Sequence, residues 1–250
     1  MTFKAGKPTE VTPRMREIAE ELHKEIEENR NFTVSKANTI IVSALLEMKF
    51  PQVFRELKAI VEGSGAIFVA LGGTRDIWCR DYFPIQTERG KFFSYIYDPD
   101  YLQDDPGLVT REINYDFGEA EVLPLNIKLD GGNVMKGPGF VLLTEKVFRE
   151  NRAEDARSRN RLLVFLESAF GKAVIFPNEP NDPVGHVDGE VMLVDDVLFV
   201  NDYSEYINDP IYAKFVKELK SVIATLVAQG RVSRVMELPY KLLNPESKWS

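Results

Sequence analysis

The chain has 250 residues, of which 44% are hydrophobic, and its formal net charge at pH 7 is −8. This length supports a sizeable buried core, and the 16 Phe residues argue against an intrinsically disordered protein. The acidic balance disfavours a nucleic-acid partner, no hydrophobic run is long enough to span a membrane, and a single cysteine excludes an internal disulfide framework.

The first predicted elements are helices and short strands. Apolar residues at helical spacing predict a helix over about residues 13–29. The β-branched run 39–42 predicts a strand, and Pro51 begins a second helix that ends before Gly65. The nearly continuous apolar run 66–71 predicts a strand buried on both faces. The residues expected on the apolar face of the second helix are Phe54, Leu57, Ile60 and Val61.

A glycine followed by a strand recurs along the chain. Four glycines at positions 65, 118, 171 and 230 are separated by 53, 53 and 59 residues. Further helices are predicted over 151–170 and from Pro210, and the strands predicted after the glycines are 66–71, 121–125, 173–177 and 231–238. A nearly fixed period predicts a repeat architecture, with units arranged around an axis, strands inside and helices outside.

Acidic residues and a histidine follow these strands at comparable distances. Asp81, Asp130 and Asp188 lie 16, 12 and 17 residues after the first three of these glycines, and His186 precedes Asp188 by two positions. Units around an axis would bring these side chains to one place. Such a cluster needs a cation to relieve its mutual repulsion, or some carboxylates would stay protonated.

Asp81 stands in a segment rich in aromatic residues. Trp78, Tyr82 and Phe83 surround the pair Arg80–Asp81, and aromatic faces beside a carboxylate suit a flat organic cation. The alternative is a surface ion pair or a turn.

Asp130, Gly131, Gly132 and Asn133 are consecutive. The Asp-Gly pair alone is typical of a hairpin turn, whereas paired glycines would also let a ligand approach the backbone closely. Both interpretations stay open on the pattern.

His186 and Asp188 would point to the same face of an extended segment, so that the carboxylate orients the imidazole and raises its pKa for general acid–base catalysis.

The other histidine, His23, is expected to be a solvated surface residue. Cys79 is expected to be a small buried hydrophobe. Its alternation with Asp81 would place both on one strand face, which leaves a reactive thiol as an alternative.

Three motifs in this order resemble the agmatine deiminase and bacterial-type peptidylarginine deiminase family of the guanidino-group-modifying superfamily. They are DIWCRDYFPIQ at 76–86, LDGGNV at 129–134 and GHVDG at 185–189, and the resemblance covers about residues 38–245. It implies an α/β propeller, the pentein fold, of pseudo-fivefold ββαβ units. It also implies a hydrolase that converts an agmatine-like guanidino compound to its ureido product and ammonia through a covalent cysteine intermediate, without a cofactor or metal.

The resemblance assigns roles to matching positions. Asp81 and Asp188 would grip the guanidinium, His186 would act as general acid and then base, and Asp130 would orient the histidine or the substrate. The other substrate-binding positions it implies are Trp78, Arg80, Gly131, Gly132 and Asn133.

The sequence departs from the family pattern in three ways. Asp130 stands where many members carry Glu, Met192 stands where many carry Arg, and the nucleophilic cysteine expected near the family's C-terminus is absent. The last unit is therefore expected to be missing or incomplete. The alternatives are a truncated deiminase, a non-catalytic protein that binds a guanidino compound or amine, or a relocated site in which Cys79 is the nucleophile.

These observations predict an N-terminal helical extension over 1–37 and a deiminase domain over 38–250. The expected partner is a small guanidino cation rather than a nucleic acid or a membrane. A missing unit would expose strand edges and so favour a homo-oligomer. The polar N-terminus lacks the features of a secretory signal, so a cytoplasmic protein is expected.

Overall fold

A computed structural model describes residues 39–88 and 91–241 of the chain. The strands are β1 (Thr39–Ser43), β2 (Ile67–Leu71), β3 (Ile85–Glu88), β4 (Lys91–Ile96), β5 (Glu121–Lys128), β6 (Met135–Gly137), β7 (Phe140–Thr144), β8 (Lys172–Phe176), β9 (Val191–Val194), β10 (Val197–Asp202) and β11 (Arg234–Pro239). The helices are α1 (Leu45–Lys49), α2 (Pro51–Gly63), α3 (Cys79–Tyr82), α4 (Lys146–Glu150), α5 (Ala156–Phe170) and α6 (Pro210–Ala228). The helix predicted over 13–29, His23 and the extension 1–37 lie outside the described residues.

The described strands form four sheets that repeat one plan. β1 pairs with β2 in parallel, and the other sheets have the orders β3-β4-β5, β6-β7-β8 and β11-β10-β9. In each three-stranded sheet, an antiparallel hairpin is followed by a strand that pairs in parallel after a longer connection. Helices α4 and α5 form that connection in the third sheet, and α6 forms it in the fourth. The chain is therefore a mixed α/β protein built from recurring units.

The repeat predicted from glycine spacing is confirmed by backbone conformation. Gly65, Gly118, Gly171 and Gly230 have φ angles of 80°, 58°, 86° and 64°, in the left-handed region that favours glycine. Each precedes the parallel strand of its sheet, namely β2, β5, β8 and β11. The glycines therefore mark equivalent turns in successive units.

Neighbouring units share their hydrophobic cores through β7. Along this fully buried strand, Val141 and Leu143 pack with α5, whereas Phe140 and Leu142 pack with α6. This alternation follows from the two-residue period of a strand. Because β7 contributes to both cores, it packs on α5 of its own unit and on α6 of the fourth unit, and so joins these two units.

Several predicted elements differ in detail from the structure. The prediction that strand β2 is buried on both faces is wrong, because only Leu71 is fully buried. Its sheet has two strands in the described part of the chain. Phe68 packs on Phe54 of α2 at a ring distance of 5.2 Å. Ile60, expected on the buried face of α2, is 70% exposed. Helix α5 begins at Ala156 rather than 151, because the Asp155 side chain accepts a hydrogen bond from the Ser158 amide at 2.7 Å and caps it.

None of the helices within residues 39–88 and 91–241 is both long and hydrophobic enough to cross a membrane.

Candidate functional site

The site lies where the segments that follow β2, β5 and β8 meet. Asp81 lies in the short helix α3, Asp130 precedes a 3₁₀ turn at Gly131–Asn133, and His186 precedes another at Val187–Gly189. The Gly132 amide donates a hydrogen bond to Asp81 Oδ1 at 3.2 Å. The three segments are therefore joined at the positions where the sequence predicts a cluster of polar side chains.

His186 is held between two carboxylates. Its Nε2 lies 2.9 Å from Asp130 Oδ2, and its Nδ1 lies 3.7 Å from Asp81 Oδ1. The ring of Tyr101 makes an edge-on contact with the imidazole at 5.7 Å. The orienting carboxylate is thus Asp130, and the expectation that Asp188 fills this role from an extended segment is wrong, because the backbone turns at residue 187.

Gly132 shows how closely the remaining groups converge. A Cβ atom at this position would lie 2.5 Å from His186 Nδ1, 2.7 Å from Asp81 Oδ1 and 3.0 Å from Asp188 Oδ2. Three polar side chains therefore surround one small space above the Gly132 backbone. The glycine leaves that space open, as the paired-glycine interpretation requires.

The site alters the acidity of its own groups. Burial alone would lower the pKa of His186, but the hydrogen bond with Asp130 and the charges of Asp81 and Asp130 outweigh it and raise the pKa. Burial, with smaller effects from Asp130 and Asp188, raises the pKa of Asp81 to about 6. Asp188 is exposed to solvent at the mouth of the site, and the protein around it also raises its pKa by partial desolvation. A cation bound between Asp81 and Asp188 would favour the ionised form of both carboxyl groups and so lower their pKa values.

The sequence analysis missed Lys146, which supplies a cation for the cluster from within the chain. Its side chain is 0% exposed, and Nζ lies 2.6 Å from Asp130 Oδ2. Nζ also lies 3.5 Å from Asp100 and 3.4 Å from Glu150, and 4.3 Å from the centre of the Tyr101 ring. Burial raises the pKa of Glu150 to about 7. Within the described residues, no group of three or more His, Cys, Asp or Glu is arranged to hold a metal ion.

Asn133 lies beneath the site as a brace between units. Its Oδ1 accepts hydrogen bonds from the Thr144 amide and hydroxyl, both at 2.9 Å, and from the Val187 amide at 3.2 Å. The Thr144 hydroxyl also contacts the Gly185 carbonyl at 2.6 Å. Asn133 is 1% exposed, so these buried hydrogen bonds support the site from inside.

The other predicted substrate-binding residues lie at the rim or below it. Trp78 is 60% exposed, and the Arg80 guanidinium donates a hydrogen bond to the Val134 carbonyl. Gly131 lies against the Arg80 carbonyl and the Tyr95 hydroxyl, with no room for a Cβ atom. Trp78 is thus the exposed aromatic residue of this segment, since Tyr82 is buried and Phe83 is partly buried.

Cys79 lies in the hydrophobic core, in surroundings that do not suit a nucleophile. It packs with Leu71, Tyr82 and Tyr97, and burial raises the pKa of its thiol to about 11. It begins α3, so the expectation that it shares a strand face with Asp81 is wrong.

The chain is similar to a known protein family and to several solved structures. The family model described as Porphyromonas-type peptidyl-arginine deiminase matches residues 4–248. Among solved structures, an agmatine deiminase from C. jejuni is similar with 19% identity and a TM-score of 0.48, covering 96% of this chain and 69% of that chain. A DDAH from Pseudomonas aeruginosa complexed with citrulline has 11% identity and a TM-score of 0.42, covering 81% of this chain and 92% of that one. An amidinotransferase, SxtG from Microseira wollei, has 13% identity and a TM-score of 0.41, covering 80% and 61%. The search of curated proteins found no match.

Proposed function

The chain belongs to the Porphyromonas-type peptidyl-arginine deiminase family, and from that premise we propose that its site binds the guanidino group of an agmatine-like or arginine-like cation for deimination. The observation that carries the proposal is the convergence of His186, Asp81 and Asp188 on the space above Gly132. The 19% identity to a C. jejuni agmatine deiminase leaves the natural substrate to the binding experiment below.

Asp81 and Asp188 form the binding half of the proposed site. A guanidinium is flat and carries N–H donors on several edges, so two carboxylates around it can each accept charge-assisted hydrogen bonds. Burial raises the pKa of Asp81, with smaller effects from the charges of Asp130 and Asp188, so its ionised form is disfavoured in the free protein. A bound cation would supply the missing charge and lower that pKa.

His186 and Asp130 form the acid–base half. Because Nε2 is engaged by Asp130, the Nδ1 edge faces the same space as Asp81 and Asp188. In deimination, a nucleophile adds to the guanidinium carbon, and the C–N bond breaks as the leaving amino group takes a proton from His186 and departs as ammonia. Water, deprotonated by the same imidazole, then displaces the nucleophile and leaves the ureido product.

The one cysteine of the 250 residues is Cys79, and burial raises the pKa of its thiol to about 11. Thiolate, not thiol, is the attacking species, and at neutral pH Cys79 is almost entirely protonated. This favours a second candidate function for the 250-residue chain, namely binding of a guanidino cation without turnover.

We also propose that the units stand around a common axis as in a pseudo-fivefold propeller. The repeated order of hairpin, connection and parallel strand supports this arrangement. So does the placement of Asp81, Asp130 and His186 after equivalent strands of successive units.

Titration calorimetry with agmatine, arginine and an N-acetylated, amidated arginine tests the binding half. We expect saturable binding of at least one of them, and weaker binding of putrescine, an amine that lacks the flat guanidino group. Asp81→Asn should weaken binding about tenfold or more, whereas Asp98→Asn, an acid paired with Lys128 at 2.6 Å, should not. Failure of all three guanidino compounds to bind the folded protein would overturn the proposal.

A colorimetric assay for ureido products then separates the two candidates. Binding without product supports the non-catalytic function for this chain. Product formation abolished by His186→Ala would instead establish turnover, and the same variant should keep much of the binding.

A further inference from the structure

Lys146 is completely enclosed by protein beside the site. Its Nζ reaches the same oxygen of Asp130 as His186 does, at 2.6 Å and 2.9 Å respectively. Nζ also donates a hydrogen bond to the Val184 carbonyl at 2.8 Å, in the loop that leads to His186. Burial of an ammonium group carries a desolvation penalty, which the hydrogen bonds and ion pairs of Lys146 offset.

The contacts of Lys146 join segments that are distant in sequence. Lys146 lies in α4, Asp130 follows β5, and Asp100 and Tyr101 belong to the 3₁₀ turn Asp100–Leu102. Tyr101 contacts both the ammonium and the imidazole of His186. The lysine is therefore the centre of a network that ends at His186.

We propose that Lys146 is a positioning residue: its ammonium fixes the Asp130 carboxylate, and Asp130 in turn keeps the Nδ1 edge of His186 directed at the space above Gly132. Lys146 has no exposed surface, so it acts through Asp130 and not on a ligand. The proposal rests on the proposed function only for what His186 does to a ligand. A lysine that acted on stability alone, with no electrostatic link to Asp130 and His186, would leave the pKa of His186 unchanged once the protein is folded.

The surroundings predict the sign of the electrostatic effect. The groups that act on His186 are Asp130, Asp81, Asp188 and Lys146, with Tyr101 against its ring. The groups that act on Lys146 are Asp130, Asp100, Glu150 and the Tyr101 ring. Lys146 lowers the pKa of His186, and loss of its ammonium also leaves Asp130 without its cation, so both changes favour the imidazolium.

Lys146→Met, which keeps the length of the side chain and removes its charge, tests the proposal by NMR titration of the imidazole. The chain has two histidines, so His23→Gln assigns the signals. We expect the pKa of His186 to rise by about one unit in the folded variant. Lys172→Met, which breaks the surface pair with Glu167 at 2.6 Å, is the matched control and should leave it unchanged. An unchanged or lowered pKa in folded Lys146→Met would overturn the proposal.

If Lys146→Met does not fold, Asp100→Asn decides the question. The Asp100 side chain is 37% exposed, and its removal takes one anion from the network. The pKa of His186 should then fall by a few tenths of a unit. Asp98→Asn, with 36% exposure but paired with Lys128, is the control. No fall relative to this control rejects the network. These titrations need no ligand, so their failure is distinct from a failure to bind guanidino compounds.

Discussion

The imidazole of His186 and the carboxylate of Asp130 are hydrogen-bonded at 2.9 Å, although 56 residues separate them in the chain. The two residues follow the parallel strands of different sheets, β8 and β5. Their contact leaves one imidazole edge for the space shared by Asp81 and Asp188. The relation therefore determines which nitrogen can exchange a proton with a bound group.

Gly132→Ala should weaken ligand binding in protein that still folds. The added methyl would lie 2.5–3.0 Å from His186, Asp81 and Asp188, so it occupies the space proposed for the guanidinium. We expect affinity to fall about tenfold or more by calorimetry. Gly107→Ala, where a Cβ atom meets nothing within 4 Å, is the control. Normal affinity in folded Gly132→Ala would show that ligands bind elsewhere.

Asp81→Asn should stabilise the protein at neutral pH while weakening binding. The pKa of Asp81 is raised to about 6, so its ionisation in the folded state costs free energy that the unfolded chain does not pay. The penalty is absent below about pH 4 and complete above about pH 6. Urea denaturation should show a gain of about 1–3 kcal/mol at pH 7.5 that disappears near pH 4. A pH-independent difference would contradict this origin.

Ligand affinity should fall as the pH is lowered through about 6. Protonation of Asp81 at that pH removes one of the two carboxylates proposed to hold the cation. Since each pH unit below the pKa costs about a factor of ten, calorimetry at pH 5 should give about tenfold weaker binding than at pH 7.5. Equal affinity at the two pH values would mean that Asp81 does not pair with the ligand.

Asn133→Ala should destabilise the protein strongly. The change removes the acceptor of three buried hydrogen bonds, two from Thr144 and one from Val187. We expect the free energy of unfolding to fall by about 2–4 kcal/mol in urea denaturation. Gln52→Ala, at an exposed position bonded to Glu56, should change it by less than about 0.5 kcal/mol. Similar effects at the two positions would reject the bracing role.

Cys79 should be inert in the folded protein and dispensable for binding. Its buried thiol has a pKa raised to about 11, so the thiolate is scarce at pH 8. We expect reaction with a thiol reagent to be about 100-fold slower than in urea. Cys79→Ser should bind guanidino compounds with unchanged affinity. Rapid labelling of the native protein, or loss of turnover in folded Cys79→Ser, would revive the relocated nucleophile.

The unit structure could be predicted because it depends on local backbone conformation. A left-handed turn favours glycine wherever the chain uses it, so the period of Gly65, Gly118, Gly171 and Gly230 is visible in the sequence. The positions of Asp81, Asp130 and His186 after equivalent strands then predict that they meet.

The partners within the site could not be predicted from the same patterns. The short helix at Cys79 and the turn at Val187 are local departures from extended backbone, and they reverse the expected orientation of side chains. The pair of Lys146 with Glu150 is local to one helix, but its partners Asp100 and Asp130 are distant in the sequence and cannot be predicted from it. Nothing in the neighbouring sequence of Lys146 indicates that it is buried.

The separation of the described strands into four hydrogen-bonded sheets has a mechanical consequence. A molecule held by Asp81 and Asp188 would tether the segment after β2 to the segment after β8, which no shared ladder joins among residues 39–88 and 91–241. Its free energy of association would then oppose relative movement of these units. Backbone amides at the junctions between units should consequently exchange with deuterium more slowly when the molecule is bound, while amides within each sheet change little.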